Sequence, residues 1–115
     1  SLAGCSAGAM ALSGYVPDIR HPRSGGQDGL GLVPELRVLP HFDVYGKWIP
    51  DIVMRPLLTE STTVIGIDEQ TAFRAEPPED PKQPWSFRGV GRGSCWRIAS
   101  DRKYRVHSAM ELSVV

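Results

Sequence analysis

This chain of 115 residues has few cysteines and no excess of charge of either sign. The two cysteines, Cys5 and Cys95, cannot build a disulfide framework, and by themselves they cannot make a four-ligand zinc site. Lys plus Arg and Asp plus Glu each number 13, so the formal net charge is zero. Because a nucleic-acid surface needs surplus positive charge, we expect no nucleic-acid partner. The sequence has no apolar run of about 18 residues, so it contains no transmembrane helix and we expect no membrane partner.

The rest of the composition is that of an ordinary globular domain. Hydrophobic residues make up 41% and charged residues 23%, which argues against wholesale disorder, and the length suits one domain. The three histidines are scattered, and residues 89–93, G-V-G-R-G, do not match a dinucleotide-binding loop. We therefore expect no metal and no cofactor. The sequence carries no address signal, so we expect a cytoplasmic location, and it is compatible with either a monomer or a homo-oligomer.

Short elements separated by glycine- and proline-rich turns are predicted along the chain. We expect a helix over 7–13 that stops at Gly14, and a loop over 15–29. Strands are predicted at 37–40 and 62–67, with a hairpin partner for the second at 71–74, and a helix at 48–59. Four prolines within residues 76–84 predict an exposed loop. Four strand-like runs follow, at 85–90, 94–99, 104–107 and 112–115.

Residues 4–8 read G-C-S-A-G, which matches the G-x-S-x-G nucleophile elbow. In that pattern a serine sits on a tight strand-to-helix turn, and the glycines avoid collisions with the packed strand and helix. Ser6 would be the nucleophile, and the backbone N–H of Ala7 would be the oxyanion donor. Small residues that simply begin a helix give the same pattern by chance. Residues 2–5 also match a lipobox that would lipidate Cys5, an interpretation that requires basic and apolar segments before it.

Further motifs follow the elbow in a fixed order. G-C-S-A-G-A at 4–9 precedes G-L-G-L-V at 29–33, L-P-H-F at 39–42, G-I-D-E-Q-T-A at 66–72, and G-R-G at 91–93 shortly before Trp96. Together these segments resemble the peptidase S51 family of dipeptidase E and cyanophycinase, which shares its fold with class I glutamine amidotransferases. The residues before His41 are closer to the dipeptidase pattern than to the cyanophycinase pattern. A serine at the nucleophile position, in place of cysteine, disfavours a glutaminase.

The resemblance implies an α/β fold of the class I glutamine amidotransferase-like (flavodoxin-like) type. Its mainly parallel sheet would have flanking helices and a C-terminal β-hairpin region. Residues 1–115 would be the C-terminal part of a single such domain, since the family's N-terminal half, with the second oxyanion donor, is missing. The implied activity is that of a serine-type peptidase that hydrolyses a peptide or isopeptide bond. The dipeptidase branch adds a preference for acidic side chains.

The same resemblance implies a triad of Ser6 as nucleophile, His41 as general base and Glu69 as the acid that orients the histidine. The chemistry agrees, because a serine hydroxyl needs a base to take its proton, and a carboxylate fixes the histidine tautomer. Asp68 and Asp18 are alternative orienting acids. The alternative function is that of a catalytically inactive, truncated amidotransferase-like domain or binding module.

Overall fold

The protein is described from a computed structural model, which describes residues 2–18, 21, 25–45, 54, 57–58, 62–99, 103–106, 110–112 and 114. Within these ranges the chain forms two short helices and nine strands. The helices are α1 (Ala7–Ala11) and α2 (Phe42–Tyr45). The strands are β1 (Tyr15–Val16), β2 (Gln27–Asp28), β3 (Leu36–Pro40), β4 (Thr63–Ile67), β5 (Thr71–Glu76), β6 (Trp85–Gly91), β7 (Cys95–Ile98), β8 (Lys103–Arg105) and β9 (Met110–Leu112).

Most of the predicted elements are present, with ends shifted by one or two residues. The helix after the elbow is α1, and the strands expected at 37–40 and 62–67 are β3 and β4. The strand-like runs of the last third of the chain correspond to β6, β7, β8 and β9. The expected loop over 15–29 contains the two-residue strands β1 and β2. The helix expected at 48–59 falls largely outside the described residues.

The strands form two larger sheets and one small pair. The first sheet has the order β3-β4-β7-β8, in which β3 and β4 are parallel and the other neighbours are antiparallel. The second sheet has the order β5-β6-β9 and is antiparallel throughout. Strands β1 and β2 form an antiparallel pair of their own. Consecutive strands β4 and β5 therefore belong to different sheets, and the turn at 68–70 joins the two sheets.

The expected flavodoxin-like α/β fold, with a mainly parallel sheet flanked by helices, is wrong for this chain. Among the named strands β3–β4 is the one parallel pair, and the described helices are only one turn or so long. A parallel pair needs a crossover of about a dozen or more residues, and the chain offers one between β3 and β4, at 41–62. All other neighbouring named strands pair antiparallel. The predicted hairpin between the strand at 62–67 and residues 71–74 is also wrong, because β5 pairs with β6 across the proline-rich loop.

The first sheet is covered on both faces, because successive residues of β3 and β4 bury their side chains on opposite faces of the sheet. One face carries Val38 and Ile65, which pack with Phe87 of β6 and Leu112 of β9. The opposite face carries Leu39 and Val64, which pack with Phe42 of α2 and with Leu57. The core therefore has two layers, one on each side of β3 and β4, and α2 is fixed on the layer opposite the second sheet.

Candidate active site

The parallel pair β3–β4 brings His41 and Glu69 together. Pro40 and Ile67 are register partners at the carboxyl ends of these strands. His41 follows Pro40 directly, and Glu69 follows Ile67 after one residue. Parallel strands end at the same edge of a sheet, and this edge is where α/β proteins commonly place ligand-binding groups. Residues 28 positions apart in sequence therefore face each other, with an Nδ1–Oε1 distance of 3.2 Å.

Ser6 reaches the same edge from α1. Ala9 and Met10 of α1 pack on the cluster built around β3 and β4. Backbone hydrogen bonds from Leu30 to Ala11 and from Val33 to Leu12 tie the end of the helix to the segment that leads into β3. At Gly4 a side chain would collide with the Gly8 carbonyl oxygen, at 2.5 Å, so the tight turn requires glycine there. Gly8 has open space at its Cβ position, so the second glycine of the elbow is not required by packing.

The three side chains form one hydrogen-bonded line. His41 Nε2 lies 3.1 Å from Ser6 Oγ, and His41 Nδ1 lies 3.2 Å from Glu69 Oε1. The imidazole is 38% exposed and the Glu69 side chain 51% exposed, so the line runs along an accessible surface. Ser6, at the other end of the line, is partly exposed.

The hydroxyl of Ser6 is aimed at the histidine instead of capping its own helix. Ser6 is the N-cap residue of α1, a position where serine usually accepts a backbone N–H of the first turn. Here it makes no side-chain cap bond. Its backbone, at φ 53° and ψ −118°, departs from the extended conformation that is usual for an N-cap residue.

Backbone strain is concentrated at this site. Among the described residues other than glycine, Ser6, His41 and Gln70 have positive φ angles, at 53°, 52° and 56°. Two of them belong to the hydrogen-bonded line, and the third follows Glu69. Such conformations cost about 1–3 kcal/mol each and persist where the surroundings over-determine them, which is typical of functional sites.

The alternative orienting acids are engaged elsewhere. The Asp68 carboxylate accepts the Ser94 N–H at 2.9 Å and the Trp96 indole N–H at 3.1 Å. Asp18 accepts the backbone N–H of His21 and pairs with its ring, on an exposed loop. Glu69 is therefore the carboxylate that the structure places against His41, while Asp68 fastens the start of β7 to the turn at 68–70.

Sequence reasoning missed Asp43, which lies two residues after His41. Its Oδ1 accepts the backbone N–H of Glu69 at 2.8 Å. An acidic residue in the first turn of a helix has an ordinary explanation in the helix dipole, so no sequence signal singled it out.

Two groups outside the hydrogen-bonded line have shifted pKa values. Burial raises the pKa of the Cys95 thiol to about 11, and the negative charge of Asp68 adds to this shift. Desolvation lowers the pKa of the Arg37 guanidinium. Cys95 is buried, whereas Cys5 beside Ser6 is exposed.

In the part of the chain that the structure describes, no three His, Cys, Asp or Glu residues are grouped to hold a metal ion. None of the helices in that part is long and apolar enough to cross a membrane.

Comparison with known proteins relates the chain to a solved peptidase structure. No protein-family model and no curated protein matches the chain. The chain is similar to the crystal structure of a peptidase from an acI-B1 Actinobacterium, with a TM-score of 0.67 and 34% sequence identity over 96% of this chain. The chain is related to a peptidase. It spans 45% of that peptidase, less than half of its length. Membership of the peptidase S51 family stays a prediction.

Proposed function

We propose that this protein is a serine-type peptidase in which Ser6, His41 and Glu69 form the catalytic triad. The observation that carries the proposal is the hydrogen-bonded line from Ser6 Oγ through both ring nitrogens of His41 to Glu69. The similarity to a peptidase supports hydrolysis of a peptide or isopeptide bond as the reaction. The backbone strain at Ser6 and His41 supports a functional role for both residues.

In the proposed reaction the Ser6 hydroxyl oxygen attacks the substrate carbonyl carbon while His41 Nε2 takes the hydroxyl proton. The Nδ1–H of His41 donates to the ionised Glu69, which stabilises the imidazolium. The tetrahedral intermediate collapses as the imidazolium gives its proton to the leaving amine, and an acyl ester on Ser6 remains. His41 then takes a proton from water, whose oxygen attacks the ester carbonyl carbon. The second tetrahedral intermediate collapses as the imidazolium returns the proton to Ser6 Oγ, and the acid product leaves.

The backbone N–H of Ala7 is the proposed oxyanion donor. Ala7 is the first residue of α1, and the first N–H groups of a helix have no intrahelical acceptor. The next residue along the chain differs, since the Gly8 N–H donates to the Cys5 carbonyl at 2.9 Å. Ala7 directly follows the proposed nucleophile, so its N–H is close to the carbonyl under attack. The cytoplasmic location expected from the sequence stays a prediction.

Covalent labelling with a fluorophosphonate tests the proposal. We expect labelling at Ser6, mapped by mass spectrometry, and its loss in Ser6→Ala and in His41→Ala. The matched control is His21→Ala, because the exposed His21 is also paired with a carboxylate but is not part of the hydrogen-bonded line. Loss of a triad member lowers turnover by roughly 10⁴- to 10⁶-fold in serine peptidases.

Two results would contradict the proposal. Labelling that persists in Ser6→Ala would place the reactive group elsewhere. A folded protein that is not labelled at all would favour a non-catalytic binding module. Circular dichroism of every variant separates loss of labelling from loss of fold.

A further inference from the structure

The Glu69 side chain lacks a packed environment of its own. It is 51% exposed and sits in the turn at 68–70, which joins two different sheets. An exposed glutamate loses rotamer freedom when it is held in one orientation, and a single bond to a histidine does not offset that cost. The position of its backbone therefore decides how often the carboxylate meets His41.

The backbone of Glu69 is fastened to the element that carries His41. The Glu69 N–H donates to Asp43 Oδ1 at 2.8 Å, and Asp43 is in the first turn of α2. His41 immediately precedes that helix. Phe42 lies between His41 and Asp43 in the chain. Its buried ring packs against β4 at Gly66, and this contact holds α2 on the sheet. The hydrogen bond from the Glu69 N–H to Asp43 therefore joins the turn that carries Glu69 to the helix that directly follows His41.

Other hydrogen bonds of the turn at 68–70 hold it to a different part of the molecule. Asp68 accepts two N–H groups from residues 94 and 96, and the Thr71 hydroxyl donates to the Glu69 carbonyl while accepting the Gly93 N–H. These contacts hold the turn against β7 and the segment before it. The β3–β4 pairing brings the two strand ends together, and the bond to Asp43 then joins the Glu69 backbone to α2.

We propose that Asp43 is a positioning residue, which holds the Glu69 backbone so that its carboxylate meets His41 Nδ1. The inference rests on the proposed triad, and Asp43 itself does not touch the reacting atoms. A carboxylate that accepts a backbone N–H makes a short and strong bond, which suits this role. Without it, the turn would sample positions in which Glu69 and His41 are separated, and a misplacement of about 1 Å can lower a rate roughly 100-fold.

Three substitutions test this role through the rate of fluorophosphonate labelling at Ser6. Asp43→Ala removes the acceptor, and we expect a decrease of roughly 10- to 100-fold. Asp43→Asn keeps an acceptor oxygen at the same place, so we expect it to restore most of the rate. Asp80→Ala is the matched control, because Asp80 Oδ1 also accepts a backbone N–H, from Lys82 at 3.0 Å. Asp80 lies in the loop at the opposite end of the β5–β6 ladder, so the control rate should equal that of the unmodified protein.

A second comparison shows whether Asp43 acts through Glu69. In a Glu69→Gln background, Asp43→Ala should cause no further decrease, because the contact it supports is already altered. An equal decrease in both backgrounds would overturn the proposal, and so would an unchanged rate in Asp43→Ala. A decrease in Asp43→Asn as large as in Asp43→Ala would also overturn it, since the charge and not the acceptor would then matter.

A readout independent of labelling separates this inference from the proposed function. The ring nitrogen resonances of His41 report its tautomer, and we expect the Nδ1–H form in the unmodified protein and in Asp43→Asn. Asp43→Ala should instead give a mixed population of the two tautomers, as we also expect for Glu69→Gln, whose side-chain amide can accept from Nδ1–H or donate to Nδ1. If Asp43→Ala changes the tautomer population in a protein that is not labelled at Ser6, the proposed peptidase function is overturned and the positioning role is supported. A tautomer population unaffected by Asp43→Ala would overturn the positioning role in a protein that does label.

Discussion

Gly66 is the position where a single methyl group should disturb both the fold and the proposed site. Gly66 is buried in β4, and a Cβ built there would come within 3 Å of three ring carbons of Phe42. Phe42 is 7% exposed and belongs to the core cluster with Leu39, Leu57 and Val64. Because the ring is packed within this cluster, Gly66→Ala should force α2 away from the sheet. Overpacking of this kind costs about 1–3 kcal/mol.

The sign of this effect is informative, because the intrinsic effect of the substitution is the opposite. Replacing glycine by alanine at a compatible position usually stabilises a protein by about 0.4–1 kcal/mol, since the unfolded chain loses freedom. Gly8→Ala is the matched control: Gly8 is in α1 with open space around its Cβ position, so the variant should be as stable as the original or more stable. Urea unfolding followed by tryptophan fluorescence measures both variants.

A double-mutant cycle assigns the loss to the Phe42 ring. Phe42→Ala alone should cost about 3–5 kcal/mol, and adding Gly66→Ala to it should cost nothing more. Because His41 and Asp43 flank Phe42, Gly66→Ala should also slow labelling at Ser6. The reasoning is refuted if Gly66→Ala is as stable as the original protein, or if its cost is the same with and without the Phe42 ring.

Two further predictions concern the buried polar groups. Ser13 is fully buried, and its hydroxyl bonds the Met10 carbonyl at 2.6 Å, so Ser13→Ala should cost about 1–3 kcal/mol in urea unfolding; a neutral result would contradict this. Burial raises the pKa of the Cys95 thiol to about 11. As the pH rises above 9, the thiol should therefore lose its proton in the unfolded chain at a lower pH than in the folded protein. The free energy of unfolding should therefore be unaffected by this thiol below pH 9 and fall by roughly 2–3 kcal/mol towards pH 11. Cys95→Ala should lack that part of the decrease, and an identical slope in both proteins would show that the thiol is not responsible.

The local elements could be predicted because their signals are local. Residues 62–67 combine β-branched side chains with a following polar turn, and the structure has β4 there. The prolines of residues 77–84 exclude a packed element, and the structure has an exposed loop there, between β5 and β6. In both segments, backbone restriction and side-chain shape decide the outcome without distant contacts.

The arrangement of the strands could not be predicted, because it depends on contacts between distant residues. The sequence pattern of β5 fits a hairpin with β4 as well as one with β6. Burial decides between them: Phe73 of β5 stacks with Phe87 of β6 at 5.1 Å between ring centroids, and Phe87 joins the core beneath β3 and β4. The predicted fold class was taken from a family resemblance, and it was wrong because the strand pairings among the described residues are mostly antiparallel.

The candidate site combines both kinds of information. The resemblance predicted which residues would meet, and the parallel register of Pro40 with Ile67 is the contact that brings His41 to Glu69. The elbow pattern indicated a tight turn at Ser6, but the sequence carried no sign of the positive φ angles at His41 and Gln70, because neither residue is a glycine. Each lies directly beside a segment held by packing or hydrogen bonds: α1, α2 and β5. The strain is therefore maintained by the surrounding fold, and substitutions that loosen those segments should relax the site before they unfold the protein.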